Sequence, residues 1–85
     1  MARCKYIMFD ETNPIIFREH LNHSDMANHL SGLGKVTSAG FVQVYVETLE
    51  KEFPYIEVYV FGESVTLQMK SNPVDAIWIK KMFED

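Results

Sequence analysis

A single cysteine, Cys4, stands in 85 residues, so the chain can form no intramolecular disulfide. The simplest setting for it is a reducing cytoplasm. Long apolar runs are missing as well. None exceeds four residues, as in 76–79, far short of the roughly 20 that a membrane-spanning helix needs. The opening Met-Ala-Arg-Cys-Lys-Tyr runs within a few residues into Asp10 and Glu11, which leaves no room for the apolar stretch of a signal peptide. Positive charge is scarce: eight Lys and Arg face twelve Asp and Glu, for a net charge of −4. Non-specific nucleic-acid binding relies on basic surface to displace counterions, and is disfavoured here. The acids Glu47, Glu50, Glu52 and Glu57 gather loosely around Lys51 and read as a solvated hairpin tip. Repeats, low-complexity runs and linkers are absent too, so residues 1–85 read as one domain.

What is present is apolar substance. Apolar residues make up 47% of the chain, as in a globular protein and unlike a disordered one. Lys5-Tyr-Ile-Met-Phe9 reads as a strand buried on both faces. Asp10, Glu11, Thr12 and Asn13 supply turn chemistry, and Pro14 can open a strand, so Ile15, Ile16 and Phe17 read as a returning edge strand. Ser24 as N-cap, Asp25 in the first turn and Met26, Ala27 and Leu30 on one stripe predict a short helix over 24–31, closed by Gly32. Residues 37–47 alternate, with Val42, Val44 and Val46 opposite Phe41, Gln43, Tyr45 and Glu47. After a charged connection at 48–54, residues 55–61 place Ile56, Val58 and Val60 against Glu57, Tyr59 and Phe61. A tight turn at Gly62 and Glu63 then leads to Val65, Leu67 and Met69 as a third strand.

Asn72, Pro73 and Asp75 form a strong helix start, and Val74, Ile77, Trp78 and Met82 recur on one face of a helix over 72–84. That helix should cover the valine face, with Trp78 as its anchor. Full burial would make Trp78→Ala cost about 3–5 kcal/mol. The expected fold is α+β and two-layered, a mainly antiparallel sheet of about five strands in the order β-β-α-β-β-β-α.

Chemistry is harder to find. His20, His23 and His29 lie near Asp25, and three histidines with a carboxylate could hold zinc. Yet His23 and His29 are six apart and diverge on a regular helix. A small metal-binding or hydrolytic protein using this segment is the alternative reading; no metal or cofactor is expected. Ser31-Gly-Leu-Gly-Lys35 suggests a phosphate loop, but that pattern needs glycine where His29 stands and Ser or Thr where Val36 stands. Gly40, Phe41, Val42 and Gln43 match part of an RNA-recognition motif, without the aromatics on which bases stack, since Ala39 and Val44 occupy those places. No nucleophile elbow occurs, which points away from an enzyme.

The second sheet face is the more telling feature. Phe41, Tyr45, Tyr59 and Phe61, beside Gln43, Glu57 and Thr66, have the composition of an interface core. The short helix or the N-terminal hairpin could cover this face. Otherwise it predicts a protein partner or a homodimer, extended by Ile79 and Phe83.

The strings His23-Ser-Asp25, Ser38-Ala-Gly-Phe41, Gly62-Glu-Ser64 and Lys70-Ser-Asn-Pro-Val-Asp-Ala76 resemble those of small uncharacterised bacterial and phage-type proteins of unknown function. The resemblance implies a prophage or accessory-gene setting and no mechanism. If these strings also form a site, its polar residues are His23, Asp25, Ser38, Glu63 and Ser64. The expected function is that of a small soluble binding or regulatory protein.

Overall fold

The computed structural model describes residues 3–47 and 55–84; the charged connection at 48–54 lies outside them. Strand β1 (Cys4–Phe9) pairs antiparallel with β2 (Asn13–Arg18). Asp10 and Glu11 both take positive φ in the turn between them, as a tight hairpin of this hand requires. Asp10 then ties that turn to the next crossing: its backbone N–H donates to the Lys35 carbonyl and its carboxylate accepts from the Lys35 N–H. Gly34 is required there, because φ is +126° and a Cβ would sit 2.1 Å from the Asp10 carboxylate.

Helix α1 (His23–His29) follows, capped by Asn22 and not by Ser24: the Asn22 Oδ1 accepts from the backbone N–H groups of Ser24 and Asp25. Residues 31–33, with the expected closing glycine Gly32, form a 3₁₀ turn. Strands β3 (Val36–Glu47) and β4 (Tyr55–Phe61) complete a four-stranded antiparallel sheet in the order β2-β1-β3-β4. The alternation read in the sequence is observed across it, with Val42, Val44 and Val46 opposite Val60, Val58 and Ile56.

The third meander strand is replaced by a minimal hairpin, β5 (Glu63–Ser64) with β6 (Met69–Lys70). Residues 65–68 turn instead of extending. Ser64 Oγ accepts from the Leu67 N–H, Gln68 adopts positive φ, and Val65 is left exposed. Side-chain capture of the backbone has outcompeted strand propensity here.

Helix α2 (Asp75–Phe83) lies on the valine face. It begins three residues later than predicted, after a turn in which Asn72 Oδ1 accepts from the Val74 N–H. Its phase also differs. Ile79 is fully buried with Tyr6, Met8 and Val42, while Ile77, Val74 and Met82 are exposed. Trp78 is only partly buried, so the cost of truncating it falls below that of a fully buried tryptophan. Ile79 is therefore a core residue and not part of an outer surface.

The opposite face carries the second core cluster, Ile7, Phe9, Phe17 and Ala39, covered by Met26 and Ala27 of α1, by Leu30 at its C-cap and by Leu67 and Met69. The architecture is α+β, with strand β1 enclosed between the two helices as its fully buried Tyr6, Ile7, Met8 and Phe9 require. Pairing of β1 with β3 ends at Val42, but β3 and β4 continue together to Glu47 and Tyr55. This two-stranded arm makes the molecule elongated, 43 × 22 × 21 Å. No helix among the described residues is long and apolar enough to cross a membrane.

Candidate functional sites

The aromatic face divides in two. Near the body, Phe41 and Phe61 stack with ring centroids 5.8 Å apart, His23 meets Phe41 edge-on at 6.0 Å, and the Arg3 guanidinium lies 4.7 Å from the Phe41 centroid. This half is partly covered within the monomer, Phe41 and Phe61 both being half-buried. On the arm, Tyr45 and Tyr59 meet edge-on at 5.7 Å and remain exposed. Phe83 is exposed as well, at the end of α2.

The arm's polar groups are organised around one carboxylate. Tyr59 donates to Glu57 Oε2 at 2.6 Å, Tyr55 donates to Oε1 at 2.7 Å, and Tyr45 donates to Gln43 Oε1. The two phenols, Tyr59 foremost, hold the Glu57 carboxyl below its ordinary range, and Glu57 in turn raises both phenols. These ties keep two large exposed rings in fixed positions, which lowers the entropy lost when a partner covers them.

Strand β4 is the outer strand of the sheet. A groove of about 260 Å³ runs beside it, lined by five successive residues, Tyr55 to Tyr59, and by Ala76, Ile77 and Lys80 of α2. Successive strand residues point to opposite faces, so a groove touching all five follows the strand's edge and not one face.

The histidines do not converge. His20 and His29 are exposed, as is Asp25. His23 is buried, donates from Nε2 to the Gly40 carbonyl at 2.9 Å and packs edge-on against Phe17. Among the described residues, no group of three His, Cys, Asp or Glu side chains is placed to hold a metal ion. His23 is thus a core histidine. Burial holds its imidazole below the ordinary value of 6.5, so the unfolded chain binds this proton more tightly than the native state does. Its contribution to stability is complete above pH 6.5 and is lost as the pH falls from there through the native value. Urea midpoints for wild type and His23→Gln, compared at about pH 5 and pH 7.5, should show a smaller acid loss in the variant. Parallel losses in the two proteins would refute this assignment.

Of the other polar candidates, Glu63 is exposed and Ser64 is spent on its own turn. Ser38 does enter a cluster, though not with His23. Its hydroxyl donates to Asp75 Oδ2, as does the Tyr6 hydroxyl at 2.6 Å, while the Asn72 N–H donates to the Tyr6 oxygen. All three side chains are buried. Burial first, and the bond to Asp75 second, push the Tyr6 phenol far above its ordinary range. This cluster floors a cleft of about 340 Å³, walled by Glu11, Thr12, Thr37, Val74 and Trp78.

Sequence reading picked out Ser38 but missed Asp75, whose place in the first helical turn already had an explanation in the helix dipole. Comparison of the chain with protein-family models, with curated proteins and with solved structures gives no match.

Proposed function

We propose that this is a small cytoplasmic binding or regulatory protein that acts through protein contacts, and that its first partner is a second copy of itself joined along β4. The open edge of β4 carries the reading. An edge strand offers unpaired backbone donors and acceptors that another strand can complete.

The seven residues of β4 suit self-pairing about a two-fold axis at Val58. Antiparallel addition in that register sets Glu57 opposite Tyr59 of the second copy, Ile56 opposite Val60 and Tyr55 opposite Phe61. No like charges face one another, a condition that cross-strand pairing demands. The same operation brings the exposed Ile77, which borders the groove, toward its own copy, as an isologous interface does. The aromatic arms would then flank an extended eight-stranded sheet and form the surface left for further partners.

Light scattering over a concentration series should show a reversible dimer. Ile77→Asp should shift it to monomer without lowering the urea midpoint, because Ile77 contributes little to the monomer core. A wild-type monomer at about 100 μM, a concentration that would populate any dimer of micromolar Kd, would overturn the proposal. So would a dimer indifferent to Ile77→Asp.

A further inference from the structure

The cleft above Asp75 is separate from the β4 edge and has a chemistry of its own. Asp75 is 2% exposed, and its Oδ2 accepts from both Tyr6 and Ser38. Its Oδ1 accepts no hydrogen bond from the described side chains or backbone. Every fully buried polar side-chain atom among the described residues has a partner, so Oδ1 must be the part of Asp75 that surfaces, and Asp75 lines the cleft. A carboxylate oxygen thus waits at the bottom of a recess, held by two buried hydroxyls.

The surroundings select the sign of a ligand. Among the described residues, the cleft is lined by two carboxylates, Glu11 and Asp75, and by no Lys, Arg or His. Its two innermost hydroxyls have no proton to offer, since Ser38 donates to Asp75 and Thr37 donates to the Met8 carbonyl. The start of α2 is closed to anions as well. The N–H groups of Val74, Asp75, Ala76 and Ile77 are taken by Asn72 Oδ1 and by the carbonyls of Asn72, Pro73 and Val74. Asn72, Thr12 and Trp78 bring neutral N–H and O–H groups to the lining, so the sign of a ligand is set by the charge of the two carboxylates and not by a lack of donors.

The surroundings also select its shape. Val74 and Trp78 supply apolar wall beside the carboxylate, suited to a carbon stem; the Lys81 ammonium, 4.5 Å from the Trp78 ring centroid, already supplies that ring with a cation. A calcium ion would need six to eight oxygens, and one of the four carboxylate oxygens here is already committed to two hydroxyls. We infer that this cleft binds a small aliphatic primary amine, its ammonium on Asp75 Oδ1 and Glu11 and its chain along Trp78 and Val74.

Trp78 is the only tryptophan in the chain, so its fluorescence reports directly on the cleft. The intact protein is titrated at pH 7 and constant ionic strength with n-butylamine, with butan-1-ol and with calcium chloride. Butylamine, protonated at that pH, should give a saturable change in the millimolar range, the affinity accessible to so small a ligand, and butanol none. Glu11→Gln, at an exposed position, should weaken the response several-fold, and Asp75→Asn about tenfold or more, as loss of a charge-assisted hydrogen bond implies. If Asp75→Asn does not fold, Glu11→Gln decides. The inference is overturned by no saturable response, by an equal response to butanol, by saturation with calcium at lower concentration than with amine, or by an amine response unchanged in Glu11→Gln.

Discussion

Asp75→Ala should destabilise the protein by about 3–5 kcal/mol, a large part of what a domain of this size possesses. The loss comes from the groups left behind. Tyr6 is fully buried and Ser38 nearly so, and both donate to the same carboxylate oxygen. Without it, two hydroxyl donors stay in the interior unpaired, each costing about 1–3 kcal/mol, and two hydrogen bonds to a charged acceptor disappear. Asp75→Asn, which retains a carbonyl acceptor, should lose less than Asp75→Ala. In Tyr6→Phe the Asp75 carboxylate stays satisfied by Ser38 while the Asn72 N–H loses its acceptor, so the loss should be about 1–2 kcal/mol. Because the two residues share one network, the double variant Tyr6→Phe/Asp75→Ala should lose less than the two single losses added together. Urea unfolding of the four variants beside wild type checks this; a loss below about 1 kcal/mol for Asp75→Ala would mean that the buried network does not hold the helix.

Ile79→Ala should cost about 3–4 kcal/mol, within the range for deleting a fully buried isoleucine, while Ile77→Ala two residues earlier should change stability by no more than about 0.5 kcal/mol. The pair measures the rotation of α2 about its own axis. Ile79 has no exposed surface and packs against Tyr6, Met8 and Val42, whereas Ile77 is 57% exposed. Had the helix lain on the stripe that hydrophobicity alone picks out, the two effects would be exchanged. Equal losses at both positions would show that α2 is not held in one orientation. Melts of the two variants followed by circular dichroism suffice, since the contrast is several-fold larger than the error of such measurements.

That contrast also shows what could be read in advance. Strand periodicity gave the sheet: Val42, Val44 and Val46 do face Val60, Val58 and Ile56, and the doubly apolar Lys5-to-Phe9 segment does lie inside it. Alternation is local, and local signals were read well. Helix phase was not, because it is set by a polar contact between Tyr6 and Asp75, 69 positions apart. An aspartate in a first helical turn is ordinarily solvated, and nothing near it in sequence marks it as buried. Once Asp75 must face inward, Ile79, one turn later, follows it and Ile77 turns out to solvent.

The same limit governs the sites. Ser38 was recognisable as a candidate, but its partners belong to the first strand and the last helix. His23 resembled a ligand until its neighbour proved to be the Gly40 carbonyl. The third meander strand failed for a different reason, a competition between Ser64 and the backbone that strand propensity does not record.

The bond between Tyr6 and Asp75 bears on how the chain must be handled as well as on how it is built. It joins the strand at the centre of the fold to helix α2, so neither is complete without the other. A fragment ending before Asp75 would not be a smaller version of the domain. It would expose the face of Met8, Val42, Val44 and Val60 that α2 shelters, with an unmet hydroxyl in its midst. Such an apolar strand surface invites aggregation. During synthesis the sheet has no shelter on that side until residues 75–83 leave the ribosome. Fusions or tags that hold α2 away from the sheet are therefore expected to lower the soluble yield.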